Sequence, residues 1–461
     1  MMKNILTFYK KSAPIPMLEI SEEMQSKLYR KWRWSCFLSG TIGYSLYYVC
    51  RTTLNVVKKP ILENGTLDAV QLGIIGSALL FSYALGKFVN GFLADHSNIK
   101  RFMATGLAVS AVANFCVGAC GLLQGNVAFY SNMLLFVVFA AMWGINGWAQ
   151  SMGAPPAIIA LSRWFPLKQR GTYYGFFSAS HNLGEFLSFI FVGAVVGFFG
   201  WQWGFVGASL AGAAGVVVII LFLHDTPQCK GLPPVEVISN EELERKEASS
   251  KESTSELQKA VIRNPFIWLL AFSSSFMYIS RYGINGWGVL FLQEVKGFSL
   301  SHATQIISIN ALLGIVGTVF SGWLSDRLFH GKRGLLAFLF GLLNTLSLCL
   351  FLFSGNSFFF NILSMLLFGV AVGVLICFLG GLMAIDIVPR DASGAALGIV
   401  GMASYIGAGL QDIISGYLID SNKGVINGVV IYNFCPVSVF WVSASVLSSL
   451  LVLFLWKKKN I

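Results

Sequence analysis

The chain has 461 residues, 55% hydrophobic and 14% aromatic, with only 11% charged and a formal net charge of +11. Soluble domains carry about 25% charged residues, so a soluble fold and a disordered chain are both excluded, and long continuous apolar runs exclude a membrane β-barrel. With a mean hydropathy of +0.69 the chain reads as an all-α polytopic membrane protein; its bases sit in short loops between apolar runs, a topology signal that excludes nucleic acid as the partner.

The first 33 residues are polar and basic, and the first apolar run is too long for the h-region of a cleavable signal. Runs long enough to cross about 30 Å of hydrocarbon follow at 34–57, 69–94, 103–124, 128–152, 172–199, 201–223, 265–292, 304–326, 335–353, 357–385, 392–420 and 430–456. The slightest break among them is Phe199-Gly200-Trp201. The only long hydrophilic stretch, 224–264, is rich in Glu, Lys and Ser and reads as a solvated linker. The predicted organisation is a segment 1–33, a six-helix half 34–223, the linker 224–264, a second half 265–456 and a tail 457–461.

With the N-terminus inside, 25 of the 32 Lys and Arg fall in cytoplasmic segments and four (Lys58, Lys59, Lys296 and Lys423) in external loops. That bias predicts both termini in the cytoplasm and a place in the cell (inner) membrane. The eight cysteines lie mostly inside apolar runs. Cys116 and Cys120 are one helical turn apart, but no metal-ligand spacing occurs, so they read as small buried hydrophobes. Neither metal nor cofactor is expected.

The two halves echo each other. Gly91-Phe92-Leu93-Ala94-Asp95 ends span two, and Gly322-Trp323-Leu324-Ser325-Asp326 ends span eight; Lys100-Arg101 and Lys332-Arg333 follow them. In spans five and eleven, Pro166, Gly171, Gly175 and Gly184 correspond to Pro389, Gly394, Gly398 and Gly407. Tyr48 and Arg51 in span one match Tyr278 and Arg281 in span seven. Parallel six-span repeats describe a major facilitator fold, in which substrate sits between the halves near the bilayer midplane.

Ionisable residues deep in the spans are Arg51, Lys87, His181, Glu185, Arg281 and Asp412. Each Arg or Lys at mid-membrane costs about 2.5–3.5 kcal/mol. Internal pairing is one reading, for example Lys87 with Glu185 or Arg281 with Asp412. The other is a phosphate clamp: arginine stays charged in any pocket and presents a planar fork to oxyanions, one from each half here. Tyr44, Tyr48 and Arg51 share one helix face, as do Tyr83 and Lys87, and Tyr278 precedes Arg281 by a turn. Such tyrosines either line the pocket or simply pack. His181, beside Ser178 and Asn182, either contacts ligand or bonds a carbonyl. Glu185 and Asp412 read as counter-ions or coupling groups. No nucleophile–base pair, metal cluster or P-loop points to an enzyme.

The sequence resembles the organophosphate:phosphate antiporters over nearly its whole length. The anchors include Gly43-Tyr44, Tyr47-Tyr48, Arg51, Lys87-Phe88, Asp95-His96-Ser97-Asn98, Gly153, Pro155-Pro156 and Arg170-Gly171. Ser180-His181-Asn182-Leu183-Gly184, Asp225-Thr226-Pro227-Gln228, Gly231-Leu232-Pro233-Pro234, Arg281-Tyr282-Gly283-Ile284 and the Gly331–Gly334 loop complete the set. The resemblance implies exchange of inorganic phosphate for an organic phosphate ester by alternating access. It implies Arg51 and Arg281 as phosphate ligands, Lys87 and His181 as accessory positions, and Tyr44, Tyr48, Tyr83, Tyr278 and Tyr405 as pocket tyrosines. Departures are Phe177, Ser178 and Glu185 in the span-five motif, Val374–Phe378 in span ten, and Asn310-Ala311 in span eight. The run Ile284-Asn285-Gly286-Trp287-Gly288 resembles the hexose-phosphate branch, so glucose 6-phosphate is the expected ester and a monomer the expected state. The rivals are a membrane sensor of external sugar phosphate and a proton-coupled carrier of another organic anion.

Overall fold

The computed structural model describes residues 7–123, 132–238, 254–328, 333–388, 393–426 and 429–456. Part of the predicted linker, the C-terminal tail, Gly331 and Lys332, Pro389 and the side chains of Asp95 and Asp326 lie outside the described residues. The first six-helix set is α1 (Glu22–Glu63), α2 (Ala69–His96), α3 (Ile99–Leu123), α4 (Asn132–Gln150), α5 (Leu167–Phe199) and α6 (Trp201–Phe222). The second is α7 (Pro265–Glu294), α8 (Leu300–Trp323), α9 (Arg333–Phe353), α10 (Phe358–Cys377), α11 (Ser393–Ser421) and α12 (Cys435–Trp456). A short helix, Ala154–Trp164, continues α4, and a hairpin of β1 (Lys423–Ile426) and β2 (Val429–Tyr432) joins α11 to α12.

Local chemistry sets several boundaries. Ser21 caps α1, with Glu22 and Glu23 in its first turn, where carboxylates suit the helix dipole. Asp68 and Gln71 form a reciprocal capping box on α2. Asn264 caps α7, whose first residue is Pro265. The slight break between spans five and six is the single residue Gly200, at φ +94°, a conformation in which a side chain would be strained. Among the described residues, ten helical stretches are long and apolar enough to cross a membrane by composition. The two that miss this measure are α1 and α7, which carry Arg51 and Arg281.

The halves repeat one packing scheme. In the first, α1 rests on α5 and α6, α2 on α4, and α3 on α4 and α6; in the second, α7 rests on α11 and α12, α8 on α10, and α9 on α10 and α12. This accounts for one position of the echo between spans five and eleven, Gly184 and Gly407. A Cβ at Gly184 would collide with the Ser45 carbonyl of α1, and a Cβ at Gly407 with the Ser275 hydroxyl of α7. Large exposed side chains such as Leu85, Phe88, Phe198, Leu210 and Leu346 are apolar, as a lipid-facing surface requires.

Between halves, α2 packs on α11, α5 on α8 and α1 on α7. The contacts at the end opposite the linker are tight. A Cβ at Gly73 would meet the Asp412 carbonyl, one at Gly416 would meet that of Ala69, and Lys59 pairs with Glu294 at 2.8 Å. At the linker end an N-terminal strap crosses the first half. The Asn98 N–H donates to Tyr9 O (2.7 Å), the Ser12 N–H to Asp225 Oδ2 (2.7 Å) and the Leu18 N–H to Gly231 O (3.0 Å), while Arg163 holds Asp225 from below.

Gly416→Val should wedge the α2–α11 crossing at a cost of about 1–3 kcal/mol. Spin labels placed on α2 and α11 at that end should move apart in pulsed dipolar measurements. Unchanged distances would contradict the close packing described.

Candidate functional site

The two arginines come together at the seam between the halves. Arg51 is 5% exposed on α1; its Nη2 donates to the Tyr282 hydroxyl at 3.0 Å. Its guanidinium lies 4.3 Å from the Tyr83 ring and 5.4 Å from those of Tyr48 and Tyr405. No carboxylate reaches it among the described residues, so π-faces and one phenol are its compensation. Arg281, also 5% exposed, places Nη2 3.3 Å from Glu185 Oε2 and lies 5.5 Å from the Tyr282 ring. Tyr282 therefore stands between the two cations.

Each arginine is set by a buried asparagine that the sequence reading did not single out. Asn114 of α3 donates to the carbonyl of Cys50 at 2.9 Å, and Asn146 of α4 joins it at 3.1 Å, fixing the turn that carries Arg51. Asn344 of α9 donates to the Ser280 hydroxyl at 3.3 Å and to Ser445 Oγ of α12 at 2.7 Å, fixing the turn that carries Arg281. Asn114 and Asn344 stand in the same relation to each other as Arg51 and Arg281, an offset of 230 residues. The signal was present in the repeat, but an amide in an apolar run draws less notice than a charge.

The remaining candidates gather around this pair. Tyr83 and Tyr405 meet at 4.6 Å between ring centres, Tyr278 and Tyr405 at 5.4 Å, and Tyr44 and Tyr48 at 5.5 Å. His181 is reached through Tyr48, at 5.8 Å. Lys87 is exposed toward the linker end, its Nζ 5.4 Å from the Tyr405 ring. A cavity of about 30 Å³, lined by Tyr48, Arg51, Glu185, Tyr282 and Asp412 among others, has room for a water or two.

The acids are paired differently from the sequence reading. Glu185 holds Arg281, not Lys87, and accepts a second bond from Asn285 Nδ2 at 2.8 Å. Asp412 holds neither arginine: Lys58 Nζ is 3.6 Å from its Oδ1, and the Trp287 indole donates to the same atom at 2.6 Å. Lys58, expected in an external loop, lies inside α1 at 1% exposure, with Nζ 3.4 Å from the Trp287 ring. The apolar run ends before Lys58, but helix α1 continues to Glu63, so the hydropathy boundary hid a buried cation. Tyr282 and Asn285 were also missed as site residues; both follow from helical spacing, one turn beyond Tyr278 and Arg281.

Chemically, two permanent cations ringed by phenols can bind an oxyanion. Among the described residues no group of acids, histidines or cysteines could hold a metal.

Comparison with known proteins agrees with this architecture. The family model described as Major Facilitator Superfamily matches residues 40–411. The chain is 33% identical to a protein of Chlamydia trachomatis named probable hexose phosphate transport protein, covering 86% of this chain and 87% of that one. It is 32% identical to the membrane sensor protein UhpC of Escherichia coli, covering 88% and 90%. Among solved structures, a bacterial homologue of the human lysosomal transporter Spinster, inward-facing and occupied, aligns with a TM-score of 0.70 at 18% identity, covering 93% of this chain and 97% of that one.

Asp412→Asn should strand Lys58 as an uncompensated buried charge and destabilise the protein by about 3–5 kcal/mol. The double variant Lys58→Met, Asp412→Leu should lose much less. Thermal unfolding in one detergent compares them; equal losses would mean that the pair is not the determinant.

Proposed function

The chain belongs to the Major Facilitator Superfamily, in its organophosphate:phosphate antiporter group, and on that footing we propose that it carries a sugar phosphate across the cell (inner) membrane in exchange for inorganic phosphate. It is a membrane transporter by family and not an enzyme. The observation that carries the proposal is the meeting of Arg51 and Arg281 from opposite halves, with Arg51 lacking any acid partner among the described residues. A neutral sugar needs no such clamp, and a cation would be repelled by it.

In this reading the phosphoryl group lies between the two forks, with the hydroxyls of Tyr48, Tyr83, Tyr278, Tyr282 and Tyr405 as donors. Tyr44 and His181 back the site through Tyr48, and exposed Lys87 meets the anion on its way in. The basic bias of the loops supports a cytoplasmic linker and cytoplasmic termini; in that reading the tight contacts of Gly73, Gly416 and Lys59 lie at the outer end of the seam. Without substrate the seam holds a guanidinium paired with no carboxylate among the described residues; a bound phosphate bridges the halves and lowers the barrier to rocking. That dependence makes exchange the favoured mode. Likeness to proteins named for hexose phosphate supports a hexose phosphate, with glucose 6-phosphate the first candidate, and a monomer suffices.

A second reading has its own support in the likeness to a membrane sensor: the same site would bind a sugar phosphate and report it. Labelled phosphate taken up by proteoliposomes preloaded with phosphate separates the two. A carrier shows uptake that external glucose 6-phosphate inhibits, with counterflow of the ester; a sensor binds without flux.

Arg51→Lys keeps the charge but loses the fork. Loss of a charge-assisted hydrogen bond, about 1.5–3 kcal/mol, should lower exchange by about tenfold or more, and Arg281→Lys should match it. Wild-type rates in either variant would count against the clamp.

A further inference from the structure

Glu185 interrupts the site just described. It projects from α5, and among the described residues its hydrogen-bond and ion-pair partners are both on α7: Arg281 Nη2 at 3.3 Å and Asn285 Nδ2 at 2.8 Å. It is 4% exposed. A phosphate that reaches Arg281 finds the fork already holding an oxyanion, and a guanidinium fork takes a carboxylate and a phosphate in the same way. If Glu185 stayed ionised beside a phosphate dianion, the two arginines would leave one negative charge uncompensated in a buried site. Like charges at such range disfavour each other's ionisation. One proton on the carboxyl brings the loaded site to neutrality.

The groups around Glu185 leave it as the acceptor of that proton. From α1 come Tyr48 and Arg51, with Lys58 further along; from α7 come Tyr278, Arg281 and Tyr282; from α5 itself comes His181, one turn away. Tyr83 and Tyr405 lie beyond Arg51. Asp412 of α11 lines the same cavity but is held by Lys58 and Trp287. α8 lays Thr304 and Gly314 along α5, and neither titrates.

Resting on the phosphate-carrier reading above, we infer that Glu185 stands in for substrate phosphate in the empty protein and releases Arg281 to it by taking up one proton from water, so that each bound phosphate group brings one proton with it. Asn285 fits both states. Its Nδ2 now donates to the carboxylate, while its Oδ1 is buried without a hydrogen-bond partner. A half-turn of the amide puts that oxygen where the nitrogen was, and the new carboxyl O–H donates to it. The small cavity that Glu185 lines has room for a water to carry the proton in. In one-for-one exchange of two phosphate-bearing substrates the proton travels both ways and cancels.

The test is calorimetric titration of the full-length protein in detergent with inorganic phosphate near pH 8.5, where phosphate is almost wholly dianionic, in two buffers of different ionisation enthalpy. The wild type should take up about one proton per phosphate bound, equivalent to affinity falling about tenfold per pH unit. Glu185→Gln should bind with no uptake, and Glu185→Asp should restore it. No uptake by the wild type overturns the inference. So does uptake retained in Glu185→Gln, which puts the proton on phosphate or another group, and so does a folded Glu185→Gln that no longer binds. Should that variant fail to fold, Asn285→Ala decides: less than half a proton supports the inference, and wild-type uptake overturns it. Absence of phosphate binding by the wild type fails the carrier reading itself, and the inference with it.

Discussion

Two guanidiniums buried in the middle of an apolar bundle are the constraint from which the rest of this molecule follows. Neither can shed its charge, and each is only 5% exposed. The helices that bear them therefore give up lipid-facing character. α1 and α7 are rich in tyrosine, serine and asparagine, and among the described residues they are the two of the twelve long helices that miss the composition expected of a span. Around Arg51 the solution is aromatic, four rings within 5.5 Å or a hydroxyl bond. Around Arg281 it is a carboxylate.

The two buried acids of the seam, Glu185 and Asp412, do different work. The cluster of Lys58, Asp412 and Trp287 combines an ion pair at 3.6 Å, an indole bond to the carboxylate and a ring face under the ammonium. It lies where α2 and α11 are drawn together by Gly73, Gly76 and Gly416, so its charge seals one end of the seam. The Glu185–Arg281 contact joins the two halves directly, one nitrogen at 3.3 Å, with the Asn285 amide oxygen beside it left without a partner.

Span count, the division into halves, and the arginine and tyrosine positions were all legible in the sequence, because hydropathy, charge scarcity and an offset repeat each register along a single chain. The pairing of acids with bases was not. Which carboxylate faces Arg281 depends on how α5 rotates against α7 across the seam, and no period within either helix carries that information. Lys58 was lost for another reason: a lysine just past an apolar run looks like a loop residue until the helix is seen to continue. The hairpin of β1 and β2 also escaped, since eight strand residues between long apolar runs leave no distinct period.

The 230-residue offset joins more than two arginines. Asn114 and Asn344 preserve it, and so do Cys50 and Ser280, the residues whose backbone or hydroxyl those amides grip. At the offset of spans five and eleven, however, Glu185 faces Ala408 and Asp412 faces Phe189. The duplication has thus kept its cation mounts in both copies and placed each acid in one copy only. A frame that repeats its two arginines but neither the acids nor the lysines of the seam offers two unlike walls on either side of one shared charge.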